Sequence, residues 1–114
     1  FNIILKKDLC SIASVYNLLN KFKNNVYLYK GFSDTELLKI DLSNIDMIFL
    51  DGGHSYETVS NDLSLILKSI KKGKRIICDD YNQVNYGVKK AVDELQSHVA
   101  EIKELNKRLV MITV

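Results

Sequence analysis

Two short apolar runs that both end in aspartate restrict the fold most. Asp46-Met47-Ile48-Phe49-Leu50 stops at Asp51-Gly52-Gly53, and Arg75-Ile76-Ile77-Cys78 stops at Asp79-Asp80. Continuous runs of this length fit strands buried on both faces of a parallel sheet. Parallel neighbours need a crossover, and the segment between them supplies a helix. Val59, Leu63, Ile66, Leu67 and Ile70 recur at helical spacing. Glu57 falls in the first turn, Lys71 and Lys72 at the end, and Gly73 where a left-handed C-cap belongs.

The same alternation extends to both sides. Phe1 to Leu5 is apolar and β-prone. Ile12, Val15, Leu19 and Phe22 then mark a helix with Asp8 or Ser11 as N-cap. Asn24-Asn25 makes a turn, Val26 to Tyr29 a short strand, and Ser33 to Ile40 a short helix or loop. Val88, Ala91, Val92 and Leu95 give another amphipathic helix. The tail reads as two strands, Val99 to Leu105 and Leu109 to Val114, joined by Asn106-Lys107 as a tight hairpin. About four rounds of strand and helix predict a doubly wound, mostly parallel α/β sheet with an antiparallel C-terminal hairpin.

With 114 residues, no proline and five glycines, the chain has no linker that would divide it, so one domain over residues 1–114 is expected. No apolar stretch approaches the roughly 20 residues of a membrane span, and neither a membrane nor a secretory leader is expected. The net charge of +2 balances 16 basic against 14 acidic residues, and nearly all the basic ones are lysines, so no nucleic-acid partner is expected. Cys10 and Cys78 lack metal-site spacing, and Cys78 reads as a buried thiol; a reducing, cytoplasmic setting is expected.

In doubly wound sheets, ligands bind beyond the carboxyl ends of the strands. Asp51, Asp79 and Asp80 would meet there. Three converging carboxylates repel unless something positive lies between them, and a hard divalent cation such as magnesium suits an all-oxygen set. Adjacent strand residues point to opposite faces, so Asp79 and Asp80 can share an ion only if the strand has already ended. Aspartate also ends strands simply because it starts turns. His54 follows two glycines and could act as a general base across an open site, or simply help to start the next helix. Tyr56 and Tyr81, with Asn82 beside the latter, are candidate substrate contacts or half-buried packing residues. Lys71, Lys72, Lys74 and Arg75 read as a solvated face.

Three strings occur in order: Ile48-Phe49-Leu50-Asp51-Gly52-Gly53-His54-Ser55-Tyr56-Glu57, then Lys71 to Tyr81 with its Cys78-Asp79-Asp80-Tyr81 end, then Gly87-Val88-Lys89-Lys90-Ala91-Val92-Asp93. Together they resemble methyltransferase family 24 of the class I S-adenosylmethionine-dependent methyltransferases, related to sugar O-methyltransferases of macrolide and aminocoumarin pathways. Those proteins carry IDG(D)HSYE after the fourth strand, a KPGG turn, DDY after the fifth strand, and GVxxAVD. The resemblance implies a Rossmann-like methyltransferase sheet whose final strand is antiparallel. It implies S-adenosylmethionine as cofactor and magnesium held by Asp51, Asp79 and Asp80. It implies a small hydroxylated substrate such as a sugar, whose deprotonated oxygen attacks the sulfonium methyl in line. Asp8 falls where an acid would grip the cofactor ribose, Ser33 lies in the adenine-side loop, and Asp51 serves both cofactor and catalysis, with His54 as base.

Some positions depart from the family pattern. Gly53 stands where relatives often carry an acid, so that acid's role is either absent or displaced to His54. Lys72 and Lys74 replace a proline and a glycine of the turn, Phe32 replaces an acid, and nothing like GxGxG precedes Asp8. If Phe1 to Leu5 is the family's second strand, the first is missing. The chain is then the C-terminal part of a longer protein, or its sheet has closed up, or it borrows a strand from a homo-oligomeric partner. A degenerate module that serves binding or assembly is the alternative function, because the glycine loop is absent. A metal-dependent phosphoryl-transfer domain is the third reading, and it lacks a phosphate-cradling loop.

Overall fold

The computed structural model describes residues 11–114. Phe1 to Leu5, Asp8 and Cys10 lie outside the described residues. The chain forms two compact units, the first ending at Phe32 and the second spanning Ser33–Val114.

In the first unit, Ser11 caps helix α1 (Ile12–Leu19), its Oγ accepting from the Ser14 amide at 3.2 Å. A 3-10 turn follows over Asn20–Phe22. Residues 26–29, expected as a strand, form none: the β-branched and aromatic composition is there, but no described strand offers them a ladder.

The second unit opens with helix α2 (Ser33–Glu36) and a 3-10 turn at Leu37–Lys39. Strand β1 (Met47–Leu50), helix α3 (Tyr56–Leu67) and strand β2 (Arg75–Cys78) make the predicted crossover unit with parallel strands. Helix α4 (Val88–Asp93) precedes the hairpin of β3 (Glu101–Glu104) and β4 (Val110–Thr113). The sheet order is β1-β2-β4-β3, with β4 antiparallel to both neighbours. This is a Rossmann-like α/β sheet ending in an antiparallel hairpin. Its parallel part, among the described residues, is the β1–β2 pair. No described helix is long and apolar enough to cross a membrane.

Register explains the core. Ile48, Ile76, Ile112 and Ile102 stand side by side across all four strands. Ile76 and Ile112 are fully buried in one cluster with Leu63 and Ile66 of α3 and Val88, Ala91 and Val92 of α4. The opposite face carries Phe49, Ile77, Met111 and Lys103 in one row and Met47, Arg75, Thr113 and Glu101 in the next.

Strand β1 was expected to be buried on both faces, but Met47 and Phe49 are exposed. Both helices that pack on the sheet share their core with the Ile48 side, and β1 is an edge strand of the described sheet. Helix α3 also ends earlier than the apolar stripe suggests, with Lys68 as C-cap. Gly73 does adopt a left-handed φ of 80°. It does so in the turn into β2, where its amide donates to the Val114 carbonyl at 2.6 Å. The hairpin connection is longer than Asn106-Lys107. The Leu105 amide donates to the Leu109 carbonyl, and Asn106 Oδ1 accepts from the amides of Arg108 (2.8 Å) and Leu109 (2.9 Å). That Asx-type turn lifts Arg108 out of the strand ladder.

Candidate functional site

Parallel pairing sets Leu50 opposite Cys78, so β1 and β2 end side by side. The ladder runs one bond further, Asp79 N to Leu50 O at 3.1 Å, and then stops. Asp80 turns into the left-handed region at φ 57°, a conformation that aspartate tolerates better than most residues. This meets the condition set by the sequence. The strand has ended before Asp80, and carboxylate oxygens of Asp51, Asp79 and Asp80 lie within 4.8 Å of one another.

The positive charge between these acids comes from a residue the sequence reading did not single out. Arg108, from the β3–β4 loop, grips Asp79 with two bonds, Nε to Oδ1 at 3.0 Å and Nη2 to Oδ2 at 2.5 Å. Its Nη2 also reaches Asp80 Oδ1 at 3.2 Å. Asp79 Oδ1 takes a further bond from the Asp80 amide at 2.7 Å. Asp79, then Asp80 and Asp51, hold the guanidinium above its already high ordinary pKa. The signal for it was slight: Arg108 is one of two arginines in a lysine-rich chain, and only the loop geometry aims it at the acids.

His54 lies beside the trio, its Nδ1 3.4 Å from Asp80 Oδ2. Its ring stacks on Tyr86 with centroids 4.3 Å apart and planes 6° apart. The His54 carbonyl accepts from the Gly87 amide at 2.8 Å, which ties this loop to the start of α4. Gly87 has no room for a side chain, because a Cβ would collide with the Tyr56 backbone nitrogen.

Tyr86, the stacking partner of His54, and Tyr81, which follows Asp80, line an open cavity of about 670 Å³ together with Asn82, Lys89, Asp93 and Glu94, among others. Tyr81 is buried, and its hydroxyl donates to Asp93 Oδ1 at 2.6 Å. Lys89 Nζ bonds both the Tyr81 oxygen and Asp93 Oδ2 at 2.9 Å. Burial alone would raise the Asp93 pKa, but the bonds from Tyr81 and Lys89 outweigh it and hold the carboxyl below its usual range. Burial raises the Tyr81 pKa. The hydroxyl is therefore a fixed, neutral wall group rather than a base.

Residues 6–81 match the family model described as Methyltransferase domain. The chain belongs to this family. As a methyltransferase-domain protein it is 33% identical, over 112 aligned residues, to an uncharacterized protein of Acanthamoeba polyphaga mimivirus; the match covers 84% of this chain and 51% of that protein. Its fold is similar to the O-methyltransferase NovP (TM-score 0.63, 19% identity, 90% of this chain and 44% of that one). It is also similar to CalS11, a TDP-rhamnose 3'-O-methyltransferase of calicheamicin biosynthesis (TM-score 0.67, 18% identity, 89% and 50%). The chain thus spans about half the length of the viral relative and of these two enzymes.

Within this methyltransferase domain, the structure brings together Asp51, Asp79, Asp80 and His54. Tyr81 and Asn82 line the adjoining cavity, and Asn82 Nδ2 donates to Glu104 Oε2 at 3.3 Å. Tyr56 stands apart from the trio. Its hydroxyl donates to Glu94 Oε2 at 2.6 Å, and Lys90 Nζ sits 4.2 Å from its ring centroid. Ser33 is not one of the three acids' partners either; its hydroxyl acts to lower the pKa of Asp62, a buried acid of α3. Of the three residues assigned to the cofactor by resemblance, Asp51 is the one that stands in the described site. Its carboxylate lies half-buried beside Asp79 and Asp80.

Proposed function

We propose that this methyltransferase domain carries the acceptor end of an S-adenosylmethionine-dependent O-methyltransferase that uses a divalent cation and acts on a small hydroxylated molecule such as a sugar. The observation that carries the reading is the meeting of Asp51, Asp79 and Asp80 at the carboxyl ends of β1 and β2. Three carboxylate oxygens within 4.8 Å form a donor set that fits a hard cation. Held by Asp51, Asp79 and Asp80, such a cation would lower the pKa of an acceptor hydroxyl, and bound S-adenosylmethionine would offer an electrophilic methyl.

The chain's own residues do the remaining work. Asp80 orients the His54 ring through Nδ1, leaving Nε2 to take the hydroxyl proton. Tyr86 holds the other face of that ring. Tyr81, Asn82 and Lys89 offer hydrogen-bonding groups along the adjoining cavity, the kind of wall a polyhydroxylated acceptor needs. Bound S-adenosylmethionine would supply the methyl group to the acceptor oxygen, with S-adenosylhomocysteine as the other product.

The test is transfer of labelled methyl from S-adenosylmethionine to nucleotide sugars and free sugars. Transfer is expected to fall about 100-fold or more in Asp51→Asn, and to be lost with a chelator. Unchanged transfer in both conditions would refute the assignment. One observation favours a second reading, a non-catalytic module: Arg108 already pairs with Asp79 and Asp80. In that case S-adenosylhomocysteine would not bind at all.

A further inference from the structure

We propose that Arg108 is the resident counter-ion of the acidic trio and competes with the divalent cation for Asp79 and Asp80, so that this one side chain sets cation affinity. The proposal rests on the cation reading above. Both oxygens of Asp79 and one of Asp80 are committed to the guanidinium. A small cation needs lone pairs of those same oxygens, and two cations cannot share them at contact distance without strong repulsion.

Exposure shows which partner moves. The Arg108 side chain is 57% exposed, while those of Asp79 and Asp80 are 9% and 13% exposed. The guanidinium can swing into water at little cost, whereas the acids are held in place. The backbone need not follow, because the Arg108 carbonyl accepts from the Tyr81 amide at 2.9 Å and its amide is bound by Asn106. Exchange therefore needs only side-chain torsions. One guanidinium against three carboxylates leaves the cluster net negative, so attraction for an added cation persists with Arg108 in place.

The experiment titrates the chain with Mn2+, reading the free ion by electron paramagnetic resonance, for the unaltered protein, Arg108→Gln and Arg108→Lys. Arg108→Gln is expected to bind Mn2+ at least about fivefold more tightly. Arg108→Lys should fall between, since it keeps the charge and loses the two-pronged grip. A purely structural role for Arg108 would leave affinity unchanged or weaken it. Equal affinity in all three would overturn the competition while leaving the cation reading intact. Absence of Mn2+ binding in both the unaltered chain and Arg108→Gln would overturn both. Should Arg108→Gln fail to fold by circular dichroism, the Arg108 Hε resonance of the unaltered protein decides. It must move to a solvent-exposed position as Mg2+ is added, and a resonance that stays put at saturating Mg2+ would overturn the proposal.

Discussion

Asp62 is a charged group in a position that disfavours charge. It is 2% exposed on α3, its Oδ1 has no hydrogen-bond partner, and burial raises its pKa against the bond from Ser33, with Asp34 adding repulsion. An acid whose folded pKa is raised adds stability below its unfolded value of about 3.9, and that stability is lost as pH rises through the folded value. Asp62→Asn should therefore melt progressively higher relative to the unaltered chain as pH rises from about 3.5 to 7, and a pH-independent difference would contradict this. Cys78 is a further buried reactive group, its thiol pushed up to about 12 by burial. Iodoacetamide at mildly alkaline pH should leave the Cys78 peptide unmodified in the native protein and label it after denaturation. At this scale the acids were legible, because aspartate directly after an apolar run announces itself. Arg108 was not, because its role depends on the path of a loop that sequence periodicity does not describe.

The strands and α3 and α4 were legible because their apolar spacing matches the faces they bury, and the row of Ile48, Ile76, Ile112 and Ile102 shows the match. Ile112→Ala, which empties a fully buried site in the middle of that row, should cost about 2–5 kcal/mol in denaturant melts. Element ends were less legible. The apolar stripe of α3 continues to Ile70, yet the helix stops at Leu67 because residues 68–74 must turn back into β2. Residues 26–29 have strand composition but no described ladder, and composition alone does not pair a strand. The join between the His54 loop and α4 depends on a close approach that no pattern encodes. Gly87→Ala should destabilise by roughly 1–3 kcal/mol as its methyl meets the Tyr56 backbone. A stability unchanged in urea melts would contradict this contact.

At the scale of the molecule, chain order and sheet order together explain why the acids meet: two parallel strands joined by α3 lie adjacent, so their carboxyl ends share one crevice. The antiparallel hairpin then returns beside β2 and delivers Arg108 to the same place. Membership of the methyltransferase-domain family fits this arrangement, and the three strings Ile48 to Glu57, Lys71 to Tyr81 and Gly87 to Asp93 made it readable from sequence, the first two lying within the matched residues 6–81. The cofactor side was less readable, because Asp8 falls outside the described residues and Ser33 is not part of the acidic trio. The most direct test of the central claim is calorimetric titration of the chain with S-adenosylhomocysteine, once with magnesium and once with chelator. Saturable micromolar binding that weakens in Asp51→Asn is the predicted result. Absence of binding heat in both conditions would contradict the account.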